Sequence, residues 1–176
     1  MLMAPWQALS CQGVFVAPKS KYGSSNKGFL MGAKLTSSGG DASSILKLIF
    51  NATNWANIAD NTATSPLTNL YVSLHTASPT ATGNQTTNEA AYTSYARVAV
   101  ARTTGGWTVT NNSVSPVATI SFPAATGGSE TETYFGVGTA SSGAGVLLYF
   151  GSLSPTIAVA TGVTPQLLVA SAITES

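Results

Sequence analysis

The sequence predicts an all-β protein: a β-sandwich of jelly-roll type, preceded by one short helix and an extended N-terminal arm. Three observations carry that expectation. From residue 69 onward, apolar residues recur at every second position in short runs, the period of a half-buried strand. Gly, Pro, Asn and Ser punctuate those runs. No helix-length segment lies between them, which argues against a parallel βαβ sheet. A chain of 176 residues is long enough for one domain with a real core plus an appendage.

Residues 1–43 are set apart as an arm and linker. They hold Lys19, Lys21, Lys27 and Lys34 ahead of the first acid, Asp41. Large apolar residues (Trp6, Phe15, Phe29) are scattered without a clean period, and "YGSSNKG" and "SSGGDASS" break the segment. A basic arm on a mildly acidic body is a partner-binding arrangement. Trp6, Phe15, Lys19, Lys21, Phe29 and Lys34 are the residues expected to carry that contact. A solvated tail is the plainer alternative.

Residues 44–176 are expected to form the sandwich. Its first element, in "ASSILKLIFNATNWANIAD", reads as a helix with Ile45, Leu46, Leu48 and Ile49 on one broad apolar face. Asp41 or Ser43 is the expected N-cap. A strand competes there, because Ile and Phe are frequent in strands. Next, "NLYVSLH" alternates Leu70, Val72 and Leu74 against Tyr71, Ser73 and His75. "SYARVAVAR" places Val98 and Val100 opposite Tyr95, Arg97, Ala99 and Ala101. "TTGG" then reads as a hairpin turn into "GGWTVT". "VATISFP", "TYFGVGT", "GVLLYFGSL", "TIAVAT" and "PQLLVASAIT" complete about eight to nine strands. Val72, Leu74, Val98, Val100, Ile120, Phe122, Leu147 and Leu148 are the expected core.

Charged residues make up only 7% of the chain, against roughly a quarter in ordinary soluble domains. Hydrophobic residues reach 44%, so the chain has the means to fold. An uncharged, hydroxyl-rich surface is poorly protected against self-association, which fits a surface occupied by neighbours. The net charge of +1 provides no strong field for nucleic acid. Cys11 is alone, which excludes an intrachain disulfide or a thiol metal site. No run approaches the ~18 apolar residues of a membrane span.

Reaction chemistry has few footholds. His75 is the single imidazole; a triad needs an acid to orient it, and no G-x-S-x-G surrounds any serine. His75 is therefore expected to be scaffold at a strand end. Glu130 and Glu132 share one face of a strand, as a carboxylate pair for hydrolysis must. "GGSETET" nevertheless reads more simply as a solvated strand entrance. Clustered oxygen ligands for calcium and a phosphate-binding loop are both missing, so no cofactor is expected. Four lysines with Trp6, Tyr22 and Phe29 make a thin nucleic-acid footprint. Trp55 or Trp107 offers a carbohydrate-stacking platform, but Trp107 alternates with Val109, the pattern of a core residue.

The combined pattern says more. "LYVSLHTASPTATGNQTTNEAAYTSYARVAVART", "GWTVTNNSVSPVATISFPAATGG", "YFGVGTASSGAGVLLYFGSL" and "VTPQLL" resemble, in order and spacing, the jelly-roll cement (decoration) proteins of short-tailed phage capsids. Related sequences are often labelled tail-fibre-like. The resemblance covers roughly residues 44–176. It implies a non-enzymatic virion protein on the outer capsid surface that bridges major capsid protein subunits and pairs with itself, as a homodimer, without nucleic acid or membrane contact. A tail-fibre or baseplate component is the alternative, and a carbohydrate-binding sandwich the alternative of another class.

Overall fold

A computed structural model of the chain describes residues 41–54 and 66–175. The expected arm and its contact residues Trp6, Phe15, Lys19, Lys21, Phe29 and Lys34 lie outside the described residues, as does Trp55. The fold is all-β with one helix. In chain order it runs α1 (Asp41–Asn51), β1 (Asn69–His75), β2 (Val98–Ala101), β3 (Trp107–Thr110), β4 (Ser113–Pro116), β5 (Ile120–Ser121), β6 (Glu130–Gly138), β7 (Leu147–Val159), β8 (Gln166–Leu167) and β9 (Ile173–Thr174).

The helix reading of the first element holds. Ala42, Leu46 and Phe50, spaced by four, are buried, while Ile45, Leu48 and Ile49 sit at the margins of that face. The helix starts at Asp41, so Ser43 lies buried inside its first turn rather than capping it. At the other end the chain leaves through Ala52 in the left-handed region (φ 50°). Arg102, from the end of β2, donates to the carbonyls of Leu48 and Ile49. A cation placed on the last carbonyls also favours the helix dipole.

Every strand pair is antiparallel. One sheet has the order β2-β1-β6-β7, a second β3-β4-β9, and a third β5-β8. Three pairs nest inside one another: β6–β7 within β5–β8 within β4–β9. The β1–β2 hairpin stands outside the nest and joins it through β1–β6, and the second layer is two short sheets rather than one.

Register decides which face is core. Val98 and Val100 lie opposite Val72 and Leu70, and Val137 and Phe135 opposite Val72 and Leu74. This face meets Leu46, Phe50, Trp107, Val114, Ile120, Phe122 and Leu167 in one cluster. Phe50 is its hub, edge-on to Trp107 with ring centroids 4.8 Å apart and beside Tyr149 at 5.6 Å.

Two expectations need correcting. Leu147 and Leu148 are not core. A register shift between Val137 and Gly138 breaks the alternation, so Tyr149 takes the core position, Leu148 is 37% exposed, and Leu147 lies over the opposite face. "TTGG" does not close a hairpin: β2 and β3 belong to different sheets, and the turn carries the chain between them. The tight hairpin is Asn111-Asn112 between β3 and β4, with Asn111 at φ 54°. Trp107 is buried in the core, as its alternation implies.

Candidate functional site

The other face of the four-stranded sheet is polar and covered. Ser73 and His75 project there from β1, opposite Gly136 and Tyr134 of β6. Residues 76–97 leave β1 and fold back over this face; Ala90 N–H donates to Leu74 O and Thr76 N–H to Asn88 O, both at 2.9 Å. Asn88 and Ser94 hold left-handed φ values (54° and 80°), each tied down by side-chain bonds, Asn88 to Ser78 O and Ser94 to Thr126. Such backbone persists where its surroundings over-determine it.

His75 is fully buried. Its Nδ1 lies 2.9 Å from Thr87 O, and a carbonyl only accepts, so Nδ1 carries the proton. Nε2, 2.9 Å from Ser73 Oγ, then accepts the serine hydroxyl. Burial is the main reason the imidazole pKa is held below its ordinary value, so the ring is neutral. A serine bonded to a histidine is the contact that begins a nucleophile–base pair. Here it is sealed. A Cβ at Gly136 would stand 2.7 Å from His75 Nε2, 2.8 Å from Ser73 Oγ and 2.7 Å from Leu147 Cδ1. Side chains therefore fill the space above the pair, and the group orienting the ring is a carbonyl.

The nearest acid, Glu89, is engaged elsewhere. Arg97 grips it bidentately, Nε to Oε1 at 2.6 Å and Nη2 to Oε2 at 2.7 Å. The same guanidinium donates to Ala140 O (2.9 Å) and Gly143 O (2.8 Å), so its four bonds tie the 76–97 loop to the 139–145 loop. Tyr95 O–H donates to Glu89 and accepts from Leu74 N–H. Its burial raises the phenol pKa well above the usual range. Gln85, fully buried, adds a paired bond to Ala140, receiving its N–H at 2.9 Å and donating to its carbonyl at 3.3 Å. It fits because Gly138 and Gly145 have no Cβ: one built at either would lie 2.2 Å from Gln85 atoms. The cluster pins the 139–145 loop to the 76–97 loop and both to β1.

The second cluster is Glu130 and Glu132. They share a face of β6, as expected, but the entrance is not solvated there: Glu132 is fully buried. Glu130 Oε1 accepts from Ala91 N–H (2.9 Å) and Tyr92 N–H (2.8 Å), fixing the turn before Tyr92. Burial, and then the neighbouring Glu130 carboxylate, push the Glu132 pKa up to about 8. Glu132 is therefore predominantly protonated at neutral pH, the form that costs least for two buried carboxyl oxygens without a hydrogen-bond partner among the described residues. Tyr92, raised to about 12 mainly by burial, faces the same pair and donates to Pro123 O.

Among the described residues, neither cluster lines the cavity between the sheets or the groove beside β7. Between the sheets lies a cavity of about 20 Å³ lined by core residues such as Val72, Trp107 and Val137. An open groove beside β7 is lined by Ser152, Leu153, Pro155, Leu167 and Leu168, with no titratable side chain. Among the described residues, no three His, Cys, Asp or Glu side chains group to hold a metal ion, and no helix is long and apolar enough to cross a membrane.

An all-β domain whose buried polar groups lock loops to strands defines a structural module, and comparison with known families supplies its class: a structural protein of short-tailed phage virions. The chain belongs to the family described as podophage GP4 fiber I protein gp80, whose model matches residues 45–174. No curated protein matches the chain.

Proposed function

We propose that the protein is a non-enzymatic fibre component of a short-tailed phage virion. The observation that carries this reading is the match of residues 45–174 to a family of fibre proteins. Two features support the non-enzymatic part. His75 and Ser73 are buried and bonded to each other, and the Glu89 carboxylate is clamped by Arg97. A domain braced in this way keeps its outer surface rigid for contact with protein neighbours.

A second reading is a cement protein on the outer capsid surface, bridging major capsid protein subunits against internal DNA pressure. It is favoured by the neutral, hydroxyl-rich composition and by exposed apolar residues at separated places, among them Leu67, Val117 and Leu168. Many weak lateral contacts of that kind add up across a lattice. In either reading the basic N-terminal segment with Trp6, Phe15, Lys19, Lys21, Phe29 and Lys34 serves as the arm onto a neighbouring subunit. Removing residues 2–40 then leaves a folded domain that is retained more weakly on particles.

A density map of the intact virion tests the proposal. Density for this domain on the tail supports the fibre reading, and density on capsid faces supports the cement reading. Its absence from purified virions overturns both.

A further inference from the structure

Residues 91–94 form a flap with fixed ends. Before it, Ala90 N–H is bonded to Leu74 O; after it, Tyr95 is bonded to Glu89 and to Leu74 N–H. Ala91, Thr93 and Ser94 are exposed, and Tyr92 is buried. Ser94 holds φ 80°, backbone that a non-glycine residue keeps only under constraint. Two grips hold the flap down. Thr93 and Ser94 are bonded to Gly127 and Thr126. At the other end one carboxylate oxygen, Glu130 Oε1, accepts from both Ala91 N–H and Tyr92 N–H.

The second grip stands beside a buried acid. Glu132, two positions along β6, is fully buried, and neither of its carboxyl oxygens has a hydrogen-bond partner among the described residues. Buried polar atoms are mostly bonded, so such a carboxyl calls for a reason. Glu130 faces it from its own strand and Tyr92 from the flap, while Ile157 stands opposite on β7. No Lys, Arg or His occurs in the flap, in residues 123–127, in β6 or in β7. Two carboxylates so placed repel, with no cation between them. Glu130 is only half-buried, so it is the one with a way out to water.

We propose that the Glu130–Glu132 pair is a proton-operated latch on this flap. With Glu132 protonated, Glu130 stays inward and holds Ala91 and Tyr92. When Glu132 gives its proton to water, Glu130 swings out, both N–H groups are released, and the Ala91–Tyr92 end lifts about Thr93 and Ser94. Water then reaches Glu132. The closed form keeps the Glu132 proton up to about pH 8, and the open form releases it near the ordinary 4.5. Opening is therefore least favoured below about pH 4.5, and it gains up to about tenfold per pH unit until about pH 8. The latch goes beyond the virion reading and does not rest on it.

Native-state hydrogen exchange on the full chain between pH 6 and 9, with each rate divided by that of an unstructured peptide at the same pH, tests it. Protection of the Ala91 and Tyr92 amides falls by about tenfold per pH unit up to about pH 8 and levels off beyond. Sub-denaturing urea leaves their exchange unchanged, as it does for an opening smaller than global unfolding. The Ala140 amide, held by Gln85, keeps constant protection. Glu132→Met loses no hydrogen bond and does not ionise; it keeps both amides protected at every pH, and Glu132→Gln gives the same flat profile. Glu130→Ala leaves both amides poorly protected even at pH 6. Constant protection in the native sequence, a pH dependence that survives both Glu132 variants, exchange that follows urea as the core does, or full protection in Glu130→Ala overturns the proposal.

Discussion

The buried polar face over β1 and the outer margin of β7 belong to one sheet and are built on opposite terms. Over β1, donors and acceptors meet inside the molecule: Arg97 reaches Glu89, Ala140 and Gly143, and His75 reaches Ser73 and Thr87. Along β7, backbone groups and apolar side chains remain turned outward. Residues whose types evoke catalysis are bonded to one another inside the domain, whereas the outer margin of β7 carries exposed apolar side chains and no titratable group.

The largest expected effect comes from breaking the brace. Arg97→Ala leaves the Glu89 carboxylate buried without its cation and should cost about 3–5 kcal/mol, measured by urea unfolding. Arg97→Lys should recover only part, because a point charge cannot reproduce the fork. A loss below ~1 kcal/mol for Arg97→Ala would make the clamp ornamental. Gly136→Ala comes next. Its methyl enters the space held by His75, Ser73 and Leu147, and about 1–3 kcal/mol of destabilisation is expected.

Glu132 sharpens the comparison through pH. Its native pKa of about 8 stands above the ordinary 4.5, so the folded state holds a proton that the unfolded chain releases. The contribution is full below about pH 4.5 and is lost as pH rises towards 8. His75 runs the other way: its lowered native pKa makes stability fall as pH drops below 6.5. Glu132→Gln should flatten the decline between about pH 4.5 and 8 and leave the profile below about pH 4.5 unchanged, read from denaturation midpoints across pH. The smallest expected effect is that of Ser73→Ala, about 1 kcal/mol with normal incorporation into virions. Lost infectivity in a Ser73→Ala protein that folds and incorporates normally would return the Ser73–His75 pair to catalysis.

Alternation placed Val72, Leu74, Ile120 and Phe122 in the core, because burial of one strand face is a local property with period two. Leu147 and Leu148 escaped it, because a bulge changes the phase without leaving a mark in composition. Helix spacing found α1, although its centre is Leu46 and Phe50 rather than the Ile45–Ile49 stretch. The polar clusters were less legible. Arg97 and Ala140 are 43 positions apart, and only the fold brings them together. Glu132 read as solvated because nothing in "GGSETET" shows that Tyr92 and β7 close over it. One signal was available: Gly136 and Gly138, two apart in a strand, mark a face where other side chains approach closely.

Hydrogen exchange, compared between dilute free protein and protein in assembled virions, addresses both regions at once. The account predicts that amides at 146–152 gain protection on assembly, while those of 84–97 and 139–145 are protected equally in both states. Unchanged exchange at 146–152, together with new protection over the polar loops, would contradict it.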